Sequence, residues 1–211
     1  MKICVNVGHT LKGAGSGAIG IKNESIENRN VASELISLLK GRGYEVVLSK
    51  VDTAHSNVAY LKECVDISNN NKCDLFISIH FNSFNKKAYG VECFYYKNNE
   101  NGKKLANSIC ESISSIGFKN RGAKDGSNLY VIRNTLCDAV LIECCFIDND
   151  DDMKKYDYKK MARAICDSII KKDSDREIYR VCVGSFWVKD NAINCLNEAK
   201  DKGFDDAFIY C

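Results

Sequence analysis

The chain has 211 residues, 45% hydrophobic and 27% charged, with a formal net charge of +2. That length buries a core in one domain with residues to spare, and the charge is too mild to suggest a nucleic-acid-binding surface. No run of about 18 apolar residues occurs, which argues against a membrane-spanning helix, and proline is absent, which removes cis-proline turns.

The N-terminus has no basic segment followed by a long apolar one, so the expectation is synthesis in the cytoplasm without a signal peptide. Twelve cysteines in that setting read as reduced thiols, most of them acting as small buried hydrophobes. No CxxC pair exists, and neither Cys64 with Cys73 nor Cys144-Cys145 has zinc-finger spacing.

In chain order, Lys2–Val7 is a short β-prone run that leads through Gly8 to His9. Thr10–Gly20 is glycine-rich but lacks the Gly-Lys-Ser/Thr ending of a phosphate cradle, so its expected job is to let backbone pass close to a site. Asn28–Lys40 sets Val31, Leu35, Leu38 and Leu39 on one helical face, and Gly41 and Gly43 end it. Tyr44–Leu48 reads as a strand, which completes a strand, long loop, helix and strand. Ala54–Asn71 reads as a second helix, with Val58, Leu61, Cys64, Val65 and Ser68 inward.

That helix delivers the chain to Asp74–Ser83, where mostly apolar residues run straight into His80 and polar residues follow at once. Such a pattern is a buried central strand whose carboxyl end opens into a site. Gly90–Tyr96 is another strand, and Lys103–Ile116 an amphipathic helix closed by Gly117. Asn120–Asn128 reads as a polar loop before the apolar Leu129–Ile132. Asp138–Glu143 is a third apolar run ending in an ionisable residue, and Tyr158–Ile170 a last helix. Alternating strands and helices predict an α/β domain with a largely parallel sheet. Charge clusters between residues 171 and 176, so the domain is expected over 1–172, a linker over 173–176 and a separate small piece over 177–211.

Three strand ends thus carry His9, His80 and Glu143, and Glu24 sits at the mouth of the first helix. The chain has only three histidines, and two of them end β-prone runs. A zinc hydrolase needs three protein ligands from histidine and carboxylate, plus a non-ligand carboxylate to take a proton from water. These four residues supply that set. Spacing alone leaves another reading open, in which Glu24 is a solvated helix-start residue and Glu143 a buried pair partner. Nor does spacing separate Glu24 from Glu27. His55 reads as a solvated loop residue.

A set of motifs occurs in order: Gly8-His9; Gly17-x-x-Gly20 leading to Glu24, with Asn28 and Ala32 downstream; Asp74–Ser83; Gly90-Val91-Glu92; Asn120-Arg121-Gly122; and Ala139–Glu143 followed by Phe146, Ile147 and Asn149. Together they resemble the zinc-dependent N-acetylmuramoyl-L-alanine amidases of the amidase-3 family, over essentially residues 1–172. The resemblance implies a twisted six-stranded sheet with helices on both sides. It implies zinc as cofactor, with His9, Glu24 and His80 as ligands and Glu143 as the catalytic glutamate. Register from Asn28 and Ala32 picks Glu24 over Glu27. Arg121 and Asn82 are candidate substrate contacts, with a structural salt bridge the other reading of Arg121.

The chain departs from the family where Cys144-Cys145 replace a glycine after the glutamate and Thr10-Leu11 a Gly-Gly after the first histidine. Implied is hydrolysis of the amide between N-acetylmuramic acid and L-alanine in peptidoglycan, by an endolysin or autolysin that reaches the wall after lysis or assisted release. The rival readings are a wall-binding protein without catalysis and a zinc peptidase or deacetylase on another substrate. In the tail, Arg180–Phe186 alternates, and Ala192, Cys195, Leu196 and Ala199 share a helical face. With Asp206–Tyr210 this is similar to half of a sporulation-related (SPOR) peptidoglycan-binding repeat. Such a half would be completed by a second copy, which makes a homodimer through 177–211 one expectation; packing of the tail on its own catalytic domain is the other reading. No nucleic-acid or membrane partner is.

Overall fold

In the computed structural model, which describes residues 1–174, 184–204 and 207–209, β-prone runs alternate with helices along the chain. The first strand, β1 (Lys2–Val7), runs into a long loop holding the two-residue β2 (Lys12–Gly13) and is followed by α1 (Glu24–Gly41). Then come β3 (Glu45–Ser49), the short β4 (Thr53–Ala54) and α2 (Asn57–Asn70). β5 (Leu75–Asn82), β6 (Val91–Tyr95), α3 (Glu100–Ser115) and β7 (Asn120–Asp125) form the middle. The unit closes with α4 (Tyr130–Asn134), β8 (Asp138–Phe146), α5 (Asp150–Lys155) and α6 (Tyr158–Ser174). Side-chain oxygens of Asn23, Ser56, Asn99 and Asn149 cap the first turns of α1, α2, α3 and α5, each taking a backbone N–H the helix leaves unpaired.

Six strands make one mixed sheet in the order β3-β1-β5-β8-β6-β7. β6 runs antiparallel to β8, and the other pairings are parallel. Helices cover both faces, and this explains the nearly unbroken apolar strands. On one face Val31, Leu35 and Leu39 of α1, Ile109 and Ile113 of α3, and Ile165 of α6 pack against Ile3, Val5, Ile77 and Val140. On the other, Tyr60, Cys64 and Val65 of α2 and Ile132 of α4 meet Cys4, Phe76 and Leu141.

Three expectations need correction. Asn120–Asp125 is a strand and not a loop; it is the outermost strand and pairs only with β6, so its polar side chains reach water. α1 starts at Glu24, four positions before the expected start at Asn28, because Asn23 caps it there. In α2 Val58 is 68% exposed, and Tyr60 takes the inward place. The described cysteines are all free, and no described helix is long and apolar enough to cross a membrane.

The chain divides into two units, Met1–Asp175 and Arg176–Cys211. α6 continues to Ser174, so the first two positions of the expected linker are helical. In the second unit α7 (Lys189–Asp201) spans the expected tail helix and has no buried residue. Trp187, Phe204 and Phe208 stand exposed beside it. Of the expected tail strands, Arg180–Val183, Asp206 and Tyr210 lie outside the described residues, and Ala207–Ile209 have no regular structure.

Candidate metal centre

β1 and β5 lie side by side and parallel, with Val7 opposite Ile79, so the chain leaves both at the same edge of the sheet. His80 is the third residue from the carboxyl end of β5, and His9 follows β1 by two residues. Gly8 is required for this approach. A Cβ there would lie 2.4 Å from the Ile79 carbonyl oxygen and 2.5 Å from His80 Nε2. The loop after His9 then folds back, and α1 presents Glu24 as its first residue.

Glu24 is the hub. His9 Nε2 lies 3.1 Å and His80 Nδ1 3.3 Å from its Oε1. Its oxygens also accept the Phe81 N–H at 3.1 Å and the Ala18 N–H at 2.9 Å. His9, Glu24 and His80 each offer a ligand atom, and these atoms lie within 4.8 Å of one another. The two rings meet edge to face, with centroids 4.7 Å apart. His9 Nδ1 sits 2.8 Å from the Gly15 carbonyl oxygen, which can only accept, so Nδ1 carries the hydrogen. Nε2 is thereby the nitrogen turned to Glu24. Gly17 makes room here too: a Cβ on it would come 2.9 Å from Glu24 Oε2.

Burial alone would push the Glu24 carboxyl up, but hydrogen bonds from His80 and His9 outweigh it and hold the group well below the usual carboxylate range. The two histidines diverge. Burial lowers His9, and Glu24 more than reverses it; for the more deeply set His80, burial and the charge of His9 prevail. Two imidazoles and one ionised carboxylate crowded onto one point suit a divalent cation of the zinc type.

Glu143 stands one strand over, in register with His80 on β8. Its Oε2 is fully covered and has no hydrogen-bond partner among the described residues. Burial, then the carboxylates of Glu24 and Glu92, push it up to about 8. Glu92 faces it from β6 in the antiparallel register. Unlike Glu143, Glu92 is fully engaged: Arg121 Nε lies at 2.7 Å, the Lys124 ammonium beside it, and Asn82 Nδ2 at 2.8 Å. Burial would raise Glu92, but Lys124 and Arg121 hold it below its ordinary value.

The structure thus brings His9, Glu24 and His80 together, with Glu143 adjacent in the sheet. Arg121 sits where the β6–β7 register shifts, and its guanidinium lies 5.0 Å above the Phe146 ring. Asn82 uses its carbonyl oxygen on the Ser83 N–H and its amide on Glu92. His55 is exposed and apart from the cluster. Cys144 and Cys145 are fully buried, with thiols pushed well above their usual range by burial, and are packing residues. Glu92, Arg29 and Tyr60 escaped the sequence reading as parts of the site. Glu92 alone had a signal, as a charged residue inside a β-prone run.

Residues 3–171 match the family described as N-acetylmuramoyl-L-alanine amidase. An uncharacterized protein of Clostridium perfringens is 34% identical over 84% of this chain and 54% of its own length. The sporulation-specific N-acetylmuramoyl-L-alanine amidase of Bacillus subtilis is 28% identical over 99% of this chain and 84% of its own. Among solved structures, the catalytic domain of the CD27L endolysin, described as targeting Clostridia Difficile, superimposes with a TM-score of 0.76. It is 31% identical, covering 81% of this chain and 97% of that one. The chain spans about half the length of the Clostridium perfringens relatives it matches, 54% of one and 53% of another. With its sheet order and its matched span, this chain belongs to the N-acetylmuramoyl-L-alanine amidase family.

Proposed function

We propose that residues 1–172 hydrolyse the amide between the lactyl group of N-acetylmuramic acid and L-alanine in peptidoglycan. One observation carries this reading: two imidazoles converge on Glu24, and beside them a fourth group, the half-buried Glu143, has a covered oxygen without a hydrogen-bond partner among the described residues. His9, Glu24 and His80 would hold zinc, which when bound polarises a carbonyl and lowers the pKa of water to about 7. Glu143 acts as general base: Oε2 takes a proton from the attacking water and later gives it to the departing L-alanine nitrogen. A carbon–oxygen bond forms, the carbon–nitrogen bond breaks, and the proton ends on the new amine. Arg121 has its Nε on Glu92, which leaves its two Nη groups for a stem-peptide carboxylate or carbonyl. Asn82 supports the same region by holding Glu92.

Mass spectrometry of fragments released from purified walls tests this. Stem peptides with a free L-alanine amine and intact glycan strands are expected. Cleavage within the peptide, loss of acetyl groups, or binding without any release would each overturn it.

For the tail, our reading is a wall-binding half-repeat that pairs with a second copy through residues 177–211. A unit of that size is below the length that usually holds itself together, and its helix buries nothing while Trp187, Phe204 and Phe208 face outward. Light scattering is expected to give a dimer for the full chain and a monomer for a 1–172 truncation. Monomers for both would end the dimer reading.

A further inference from the structure

His9 has a backbone φ of +65°, in the left-handed region that residues with a Cβ avoid unless their surroundings force it. Among the described residues, the other non-glycine positions of this kind, Lys72, Lys86 and Asn98, are exposed. His9 is different, because three elements close on it. Its N–H donates to the Tyr60 hydroxyl from α2. Its carbonyl accepts from Arg29 Nη2 of α1 at 3.3 Å, and that nitrogen also reaches Asp52 Oδ1 at 2.7 Å. The Asp52 carbonyl in turn accepts the N–H groups of Leu11 and Lys12, at 3.0 and 3.3 Å, so the residues after His9 are tied to the same point.

The ring is held by the same device. Gly15, whose carbonyl fixes the His9 Nδ1 hydrogen, lies against Tyr60, and a Cβ on Gly15 would stand 3.1 Å from the Tyr60 ring. Tyr60 is 4% exposed. It thus supports His9 twice, through its hydroxyl on the backbone and through its ring against Gly15.

We propose that Tyr60 is a positioning residue for the metal centre: from outside the ligand set it locks the left-handed backbone of His9 and backs Gly15, whose carbonyl orients the ring, so that Nε2 faces Glu24. This rests on the reading of His9, Glu24 and His80 as metal ligands. Partners that orient a ligand usually change metal affinity about 10- to 100-fold when removed. Tyr60→Phe keeps the ring but removes the acceptor of the His9 N–H.

The test is a chelator-competition titration of zinc on the full chain, with far-UV circular dichroism alongside. Expected for Tyr60→Phe is a zinc Kd weakened about tenfold or more at an unchanged spectrum, with wall hydrolysis recovered when zinc saturates. A fold defect without a positioning role would change the spectrum or melting temperature and leave the Kd of the folded protein alone. Wild-type zinc affinity in folded Tyr60→Phe overturns the inference. Should that variant lose its native spectrum, Gly15→Ala decides; its Cβ would meet the Tyr60 ring at 3.1 Å and push apart the contact by which Tyr60 backs the carbonyl on His9 Nδ1. A Kd several-fold weaker supports the inference and an unchanged one overturns it. Absence of zinc binding by the unmodified chain would instead overturn the metal-centre reading and this inference with it.

Discussion

The two sides of the site are built on opposite rules. On the side of β1, β5 and α1, the ligand candidates are tied down: both oxygens of Glu24 are occupied, and His9 is fixed at its N–H, its carbonyl and its Nδ1. On the side of β8, Glu143 keeps one buried oxygen with no partner, while Glu92 next to it is fully paired. A group that must stay put gains from every hydrogen bond, whereas a group that must take and return a proton needs an open valence and a pKa near the working pH. The contrast is therefore one between holding and shuttling.

The largest effect should come from the holding side. His80→Ala is expected to lose stoichiometric zinc and wall hydrolysis together, as read by metal analysis of purified protein beside a turbidity assay. Retention of both would break the contrast outright.

Next in size is Glu143→Gln, which should keep zinc and lose about 10²- to 10⁴-fold in hydrolysis, the usual contribution of a general base. The same variant should be the more stable protein when metal is stripped. The folded-state pKa of Glu143 is raised to about 8 from an ordinary 4.5, so the native state resists ionising it. Below pH 4.5 the carboxyl is protonated in both states and the variant gains nothing by this route. Between 4.5 and 8 its advantage should grow by up to about 1.4 kcal/mol per pH unit, then level off. Thermal melts of both apo proteins across that range check it; an advantage that shrinks with rising pH would contradict the buried, unpaired state.

Glu92→Gln should act on stability in the opposite sense. Here the native pKa is depressed, so the group contributes above its unfolded value and loses that contribution as pH falls. A loss of about 1–2 kcal/mol at neutral pH is expected, discounted because Arg121 and Lys124 are partly exposed. The difference from the unmodified protein should close on acidification, as followed by denaturant titration. Smallest of all, Cys144→Ser should change zinc content and hydrolysis less than twofold, apart from a modest stability cost for its buried hydroxyl. Loss of metal would add a thiolate to the ligand set.

The holding side was the more legible in the sequence. His9 and His80 end apolar runs, and a buried strand that stops at a histidine announces its site before any contact is known. Glu143 gave the same signal, although β8 continues through Cys144–Phe146 and the residue lies within the strand. Glu24 was visible only through family register, because in isolation it is one of two acidic residues in a helical first turn. The polar Asn120–Asp125 was misread because an edge strand needs no apolar alternation when one side faces water. Tyr60 was invisible for another reason. The apolar period read from α2 put Val58 inward in its place, and its hydroxyl acquires a role only when α2 folds against a loop 51 positions earlier in the chain.

The sheet order carries a consequence for how the protein is made. The ligand candidates, His9, Glu24 and His80, come from the first part of the chain, and β1, β3 and β5 can pair with one another without anything that follows. Glu143 belongs to β8, which must insert between β5 and β6 and is the last strand of the sheet to be synthesised. A growing chain therefore has its three ligand candidates in hand well before it has the candidate base, Glu143. On the proposed function, an ion that binds the early strands would stabilise such an intermediate without making it active, and hydrolysis would have to wait for the closing strand.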